Sequence, residues 1–325
     1  MSPPCDYLLR FQPLFRRYLW GGRRLGSMLG KPIGAGEDYA ESWEIVDHGD
    51  DQSVVTNGPL AGRTLGELVR ERPAALLGAE VEGAGSFPLL FKFLDCTRTL
   101  SVQVHPNDEQ GAKLSPPDLG KTEAWVVIHA EPGSRIYAGL KPGVTPAQLA
   151  ESIAAGNCET CLHDFAAAVG DCVFIPAGTV HALGEGLVIA EIQQASDTTF
   201  RLHAWNRVDA AGNPRQLHVE ESLATIDYQR GPVAPQQPVR LDAARERLVE
   251  CDKFRLDRLT LAAGEDATIG GDGSFHLLAL LEGELRFPGQ EPLLAGHTAL
   301  LPAAAAKLQA AAATGAVLLD VSLPR

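Results

Sequence analysis

Residues 101–105 read Ser-Val-Gln-Val-His, a strict alternation of polar and apolar positions. Extended backbone sends successive side chains to opposite faces. The pattern therefore predicts a short strand with Val102 and Val104 turned to a core and Ser101, Gln103 and His105 turned away from it. Pro106 ends the pairing. Glu123-Ala124-Trp125-Val126-Val127-Ile128 predicts a second strand, preceded by Lys121, which shares a face with Glu123 by the same two-residue period. A third run, Val173-Phe174-Ile175, passes through the turn Pro176-Ala177-Gly178 and delivers His181. Strands are expected near 172–176, 187–194 and 198–205, with Glu191 and Gln193 on one face of the second and Arg201 and His203 on one face of the third.

Other stretches fill in the architecture. Pro88–Asp95 is a nearly all-apolar strand carrying one cation, Lys92, whose head must reach water or an anion. Tyr7–Phe11 suits an edge strand, Trp20-Gly21-Gly22 a tight turn, and Ala40–Ile45 a strand with Glu41 and Trp43 on a common face. Helices are few. Thr64 and Glu67 form a capping box for a helix that Pro73 ends or interrupts, and Thr145 caps another through Ile153 with Pro146 at its first position. Short strands, Gly/Pro turns and short helices predict a mainly β protein, a sandwich or jelly roll. Residues 231–240 read as a linker. The expected organisation is thus a larger domain over 1–235 and a smaller β domain over 241–325, the latter built around Phe275–Phe287 and Gly296–Pro302.

Charge narrows the possible partners. The 325 residues carry a formal net charge of −13, which disfavours nucleic acid and anionic membrane, so an anionic substrate would need a local basic pocket. No apolar run has the length of a membrane span, and the N-terminus lacks a basic segment followed by an apolar one, so a cytoplasmic protein is expected. The six cysteines are then expected to be free thiols. Cys158-Glu159-Thr160-Cys161 with His163 nearby has no second cysteine pair and reads as incidental or mildly redox-active.

Gln103, His105, Glu123 and His181 together supply two imidazoles, a carboxylate and an amide oxygen. Two histidines and a carboxylate are a usual set for zinc or iron(II) with a coordination position left over. At these residues the chain resembles the type I phosphomannose isomerases of the cupin superfamily. The matching segments are SVQVHPND, GKTEAWVVI, GDCVFIPAGTVHAL and IAEIQQASDTTFRLHAWNR, with YLWGG at 18–22, AESWEI at 40–45 and FPLLFKFLD at 87–95 upstream; the match runs from about residue 10 to about 230.

The resemblance implies cupin-type jelly-roll barrels, the 241–325 segment being a degenerate second cupin without metal ligands. It implies interconversion of mannose 6-phosphate and fructose 6-phosphate through an enediol, and one zinc ion per chain held by Gln103, His105, Glu123 and His181. Lys92 and Ser101 then match residues at the substrate's phosphate end. Arg201 matches an active-site arginine, permanently charged and so electrostatic or phosphate-binding in role. Lys121 is placed to steady an enediolate, and Glu191 is the candidate base. A small sugar phosphate is the expected partner, with the chain a monomer or homodimer. The sequence departs from the family at Pro-Asn-Asp after His105 and at Leu-His-Ala-Trp after Arg201, where Ala204 replaces an expected acid and His203 is positioned to take part of its role. Two other readings compete. An iron dioxygenase would use the same ligands, but Lys92, Lys121 and Arg201 favour an anionic sugar; a binding module that had lost turnover would keep the pocket.

Overall fold

The computed structural model describes residues 5–81, 85–205, 207 and 215–324. Asn206, within the last segment of the resemblance, lies outside them. The chain packs as two units, one of residues 1–16, 23–92 and 237–325, the other of 17–22 and 93–236. The division after Gln236 falls inside the expected linker, whereas most of the first 92 residues cluster with the C-terminal segment.

The unit spanning 93–236 contains the alternating strands, and almost all its pairing is antiparallel. Leu187–Gln194 pairs with Glu123–Ala130, which pairs with Cys172–Ile175. A five-stranded sheet runs Phe200–His203, Val102–Val104, His181–Leu183, Arg135–Leu140, Leu162–Ala166 in spatial order. Val102 and Val104 enter a core with Leu140, Leu149, Leu162, Val180, Ala182 and Leu202, as the alternation predicts. Burying each of the valine and leucine side chains stabilises the fold by about 1.5–3 kcal/mol, which fixes the register and turns Gln103 to the opposite face. The helix Pro146–Ala154 has the expected cap, Thr145 accepting from the Gln148 amide.

The other unit holds a six-stranded antiparallel sheet, from Val239–Arg240 through Arg245–Glu250, Arg255–Leu261, Ala316–Ser322 and His276–Glu282 to Thr298–Leu301, and a four-stranded one that includes Asp266–Ile269 and Leu308–Ala312. Leu259, Leu278, Leu280 and Leu318 from the first sheet pack with Ile269, Leu285, Leu293 and Ala310 from the second. The helix Leu65–Glu71 carries the predicted capping box, and a separate helix begins at Pro73.

Two local expectations differ from the structure. Tyr7–Phe11 makes isolated bridges, Leu9 with Leu300 and Phe11 with Val55, instead of a strand. Trp20, Gly21 and Gly22 end the strand Leu14–Gly22 instead of turning; a Cβ on Gly22 would stand 2.6 Å from Asp95 Oδ2, so that glycine serves close approach. Residues 231–238 form no regular element, and Val233 N–H donates to Ala138 O at 3.1 Å and Gln236 N–H to Cys172 O at 2.7 Å.

Candidate metal centre

The two sheets of the 93–236 unit bring the alternating polar residues to one place. In the five-stranded sheet Gln103 stands directly opposite His181 on one side and Arg201 on the other. His105 follows the strand Val102–Val104, and the turn below it is tied by Gly178 N–H to His105 O at 2.8 Å. Gly178 has φ 84°, a conformation that a side chain would strain. From the other sheet comes Glu123, opposite Ile175 and Gln193, and two residues on Trp125, opposite Glu191.

His105, Glu123 and His181 are all buried, and their ligand atoms lie within 4.8 Å of one another. His181 Nε2 is 3.4 Å from Glu123 Oε1, and His105 Nε2 is 3.5 Å from Glu123 Oε2. The ring tautomers follow from the backbone. His105 Nδ1 meets Thr198 O at 2.9 Å and His181 Nδ1 meets Thr179 O at 2.9 Å. A carbonyl only accepts, so each Nδ1 carries the proton and each Nε2 presents a lone pair towards Glu123. Burial pushes the His181 imidazole down to about 4, its hydrogen bond to Thr179 working against that and the charge of Lys121 adding to it, so the ring is neutral at ordinary pH.

The Glu123 carboxylate tests whether these residues suit a cation. Both its oxygens are sealed from solvent and neither accepts a hydrogen bond. Lys121 Nζ, 3.1 Å from Oε2, supplies an ion-pair contact. A buried carboxylate without donors, faced by two imidazole lone pairs, is costly alone and is the donor set that a divalent ion satisfies. Gln103 Nε2 lies 3.2 Å from His181 Nε2, and turning the amide over puts its oxygen at the same corner. The four expected ligands therefore fit a metal ion, three as a buried cluster and Gln103 at its half-buried edge.

Around them, Lys121 is buried with Nζ 3.2 Å from His105 Nε2. Glu191 is buried and accepts from Trp125 Nε1 at 3.2 Å. The Trp125 ring also stands edge-on to His181, with centroids 5.3 Å apart. Ser101 is buried just before its strand. Arg201 is braced through its backbone, whose N–H donates to His218 Nδ1 at 3.3 Å and whose carbonyl accepts from His218 N–H at 2.8 Å. In the other unit, Lys92 lies 3.6 Å from Glu41 Oε2 and 5.7 Å from the Trp43 ring centroid, and Trp43 Nε1 donates to the same Glu41 oxygen at 2.6 Å, so Glu41 and Trp43 do share a face.

His203 behaves differently from the expectation. The ladder slips between Arg201 and His203, which breaks the two-residue period, and His203 lies beside Cys158 and Glu159. The loop after His105 also explains its unusual residues. Asp108 Oδ1 accepts from Gly120 N–H at 2.9 Å and Gln194 Nε2 at 2.8 Å, while Asp118 Oδ2 accepts from Ser196 Oγ at 2.8 Å and Thr198 Oγ1 at 2.6 Å. Asp118 thereby braces the segment whose carbonyl orients His105. Sequence reasoning passed over Trp125, although it shares the face of Glu123, and over Asp118 and Thr198, whose roles depend on a loop closing back on itself.

The family model for the type I phosphomannose isomerase catalytic domain matches residues 8–121. That stretch holds Lys92, Ser101, Gln103, His105 and Lys121 and stops short of Glu123 and His181. The chain is 36% identical over 305 residues to the mannose-6-phosphate isomerase ManA of Bacillus subtilis, covering 90% of this chain and 92% of that one. It is 40% identical over 220 residues to the mannose-6-phosphate isomerase of Streptococcus mutans, covering 66% and 68%. The crystal structure of the mannose 6-phosphate isomerase from Bacillus subtilis superposes with a TM-score of 0.87 at 30% identity, covering 98% of this chain and 99% of that one.

Proposed function

The chain belongs to the type I phosphomannose isomerase family, with its cupin-type fold, and on that premise we propose how its residues interconvert mannose 6-phosphate and fructose 6-phosphate. The observation that carries the proposal is the sealed Glu123 carboxylate, without hydrogen-bond donors, facing the Nε2 lone pairs of His105 and His181.

Gln103, His105, Glu123 and His181 would hold one zinc ion. When bound, zinc supplies a Lewis acid for the hydroxyl and carbonyl oxygens at C1 and C2. The remaining work belongs to side chains. Glu191 takes the proton from C2 of the open-chain aldose and returns it to C1, giving the ketose; the proton on O2 passes to O1, so the overall change is an isomerisation with nothing gained or lost. Trp125 Nε1, donating to Glu191 Oε2, holds that carboxylate in one plane. Lys121 places a fixed positive charge beside the ligands, where negative charge grows on the enediolate oxygen. Arg201 adds a charge that cannot be lost by titration. Lys92 and Ser101 take the phosphate, as the resemblance implies. Burial of Lys121, Glu123 and Glu191 keeps bulk water from the intermediate.

No helix among the described residues is long and apolar enough to cross a membrane. We further propose a cytoplasmic enzyme, monomeric or homodimeric, whose partner is a sugar phosphate and not nucleic acid or membrane. The 241–325 segment is proposed to act without ligands of its own. The test is turnover of mannose 6-phosphate in a coupled assay, before and after chelation and with zinc restored. Activity that disappears with the metal and returns with zinc is the expected result. A folded, zinc-loaded chain without turnover overturns the proposal.

A further inference from the structure

The motif Cys158-Glu159-Thr160-Cys161 and the unexpected His203 have no part in the isomerisation, yet the fold brings them together. Cys158–Cys161 forms a single 3₁₀ turn after the helix Pro146–Ala154, and His203 ends the strand Phe200–His203 at the point where the ladder slips. The thiol of Cys158, a Glu159 carboxylate oxygen and a His203 ring nitrogen lie within 4.8 Å of one another. Cys158 is fully buried and His203 is 5% exposed.

We propose that Cys158, Glu159 and His203 form a second metal-binding site, suited to a borderline divalent ion of the zinc class. The donor set of thiolate, imidazole and carboxylate is characteristic of such ions and unsuited to magnesium or calcium, which take oxygen ligands. Glu159 Oε2 is an independent pointer, being sealed from solvent with no hydrogen-bond partner. A carboxylate oxygen in that position lacks the compensation that burial demands, and a cation would provide it. Cys161 is already engaged, its Sγ 3.3 Å from Ser152 Oγ, and all six cysteines are free thiols, so a Cys158–Cys161 disulfide does not compete.

Aromatic rings flank the site. The Trp205 ring lies edge-on to His203 with centroids 5.4 Å apart, and Tyr137 lies 5.5 Å beyond it. Burial pushes the Cys158 thiol up to about 12, so without a cation it is an inert, neutral group. An ion reverses this by stabilising the thiolate, and the displaced proton leaves to solvent. A bound ion would tie the 3₁₀ turn to the strand that carries Arg201, which makes the site a brace rather than a reaction centre.

Elemental analysis of the full-length protein loaded with zinc is expected to give about two ions per chain, and about one in Cys158→Ser and in Glu159→Gln. Cobalt reports the second site separately. Gln103, His105, Glu123 and His181 contain no sulfur, so a near-ultraviolet thiolate-to-cobalt charge-transfer band should come from Cys158 and vanish in Cys158→Ser. Both variants should keep mannose 6-phosphate turnover to within a factor of about two, the sites being separate, and should lose the rise in melting temperature given by the second equivalent of zinc. A stoichiometry of one with no cobalt–thiolate band, or a band that survives Cys158→Ser, overturns the proposal. Failure of isomerase activity alone would leave both readouts intact.

Discussion

His181 and His276 are both buried in β-sheet, one in each unit, and their environments drive them in opposite directions. His181 donates its Nδ1 proton to a carbonyl and faces Glu123 with a lone pair, and burial holds it down to about 4. His276 is gripped from both ends, Nδ1 2.7 Å from Asp320 Oδ1 and Nε2 3.1 Å from Asp272 Oδ1; these carboxylates overcome desolvation and lift it to about 9. Asp320 also takes Arg245 Nη1 at 2.8 Å, and Arg245 reaches Asp257 at 3.0 Å. One region keeps its imidazole neutral and its carboxylate short of hydrogen bonds. The other pairs a charged imidazole with Asp320, a carboxylate that it shares with Arg245. The first arrangement suits a ligand that arrives later; the second suits permanence.

The comparison breaks most visibly at His181. His181→Ala should cost several kcal/mol of transition-state stabilisation, about 10³-fold or more in kcat/KM, together with bound metal, while the chain stays folded by circular dichroism. Unaltered turnover would mean that the neutral histidine is merely structural. The mirror experiment is Asp320→Ala. It leaves His276 and Arg245 without their shared anion and should lower unfolding free energy by about 3–5 kcal/mol in urea, with kcat little changed.

The pH dependence sharpens the contrast. The pKa of His276 is raised in the folded state, so its stabilisation is fully present below about 6.5 and is lost as pH rises through about 9. His276→Gln should remove that fall from the stability profile; a profile unchanged between wild type and variant would show that the Asp272–His276–Asp320 contacts carry no linkage.

The smallest effect is expected at Trp125→Phe. Phenylalanine keeps a ring against His181 and deletes the Nε1 donor to Glu191. A hydrogen bond to a charged group is worth about 1.5–3 kcal/mol, so kcat should fall roughly 10- to 100-fold with KM nearly constant. A rise in KM alone would place Trp125 in substrate binding instead.

Much of this was legible in the sequence, for identifiable reasons. A period-two pattern states which side chains share a face, so Gln103 against Val102 and Val104, or Glu41 with Trp43, followed from spacing alone. Caps at Thr64 and Thr145 were legible because capping is local. The period failed where a strand slipped, at Arg201 to His203, since a bulge leaves no mark in the alternation. Pairing across loops was also out of reach. Asp118 lies far from Thr198 in the chain, and Asp320 reaches His276 only after the strands Ala316–Ser322 and His276–Glu282 pair. The glycines at 21–22 misled because the residue that permits a turn also permits close packing, and which use applies depends on the neighbour, here Asp95.

Both histidines of the candidate metal centre are oriented by main-chain carbonyls, those of Thr198 and Thr179. Orientation that rests on side chains is vulnerable to every substitution at the supporting positions. At His181 it is inherited with the path of the chain, because any amino acid at 179 brings the same carbonyl. The Thr179 hydroxyl, buried without a hydrogen-bond partner, is dispensable to the geometry it accompanies. His181 is therefore insulated from substitution at 179, whereas His105 also leans on the Asp118 contacts that hold residues 196–198, and a designer transplanting the candidate site to another barrel should copy the backbone first and Asp118 next.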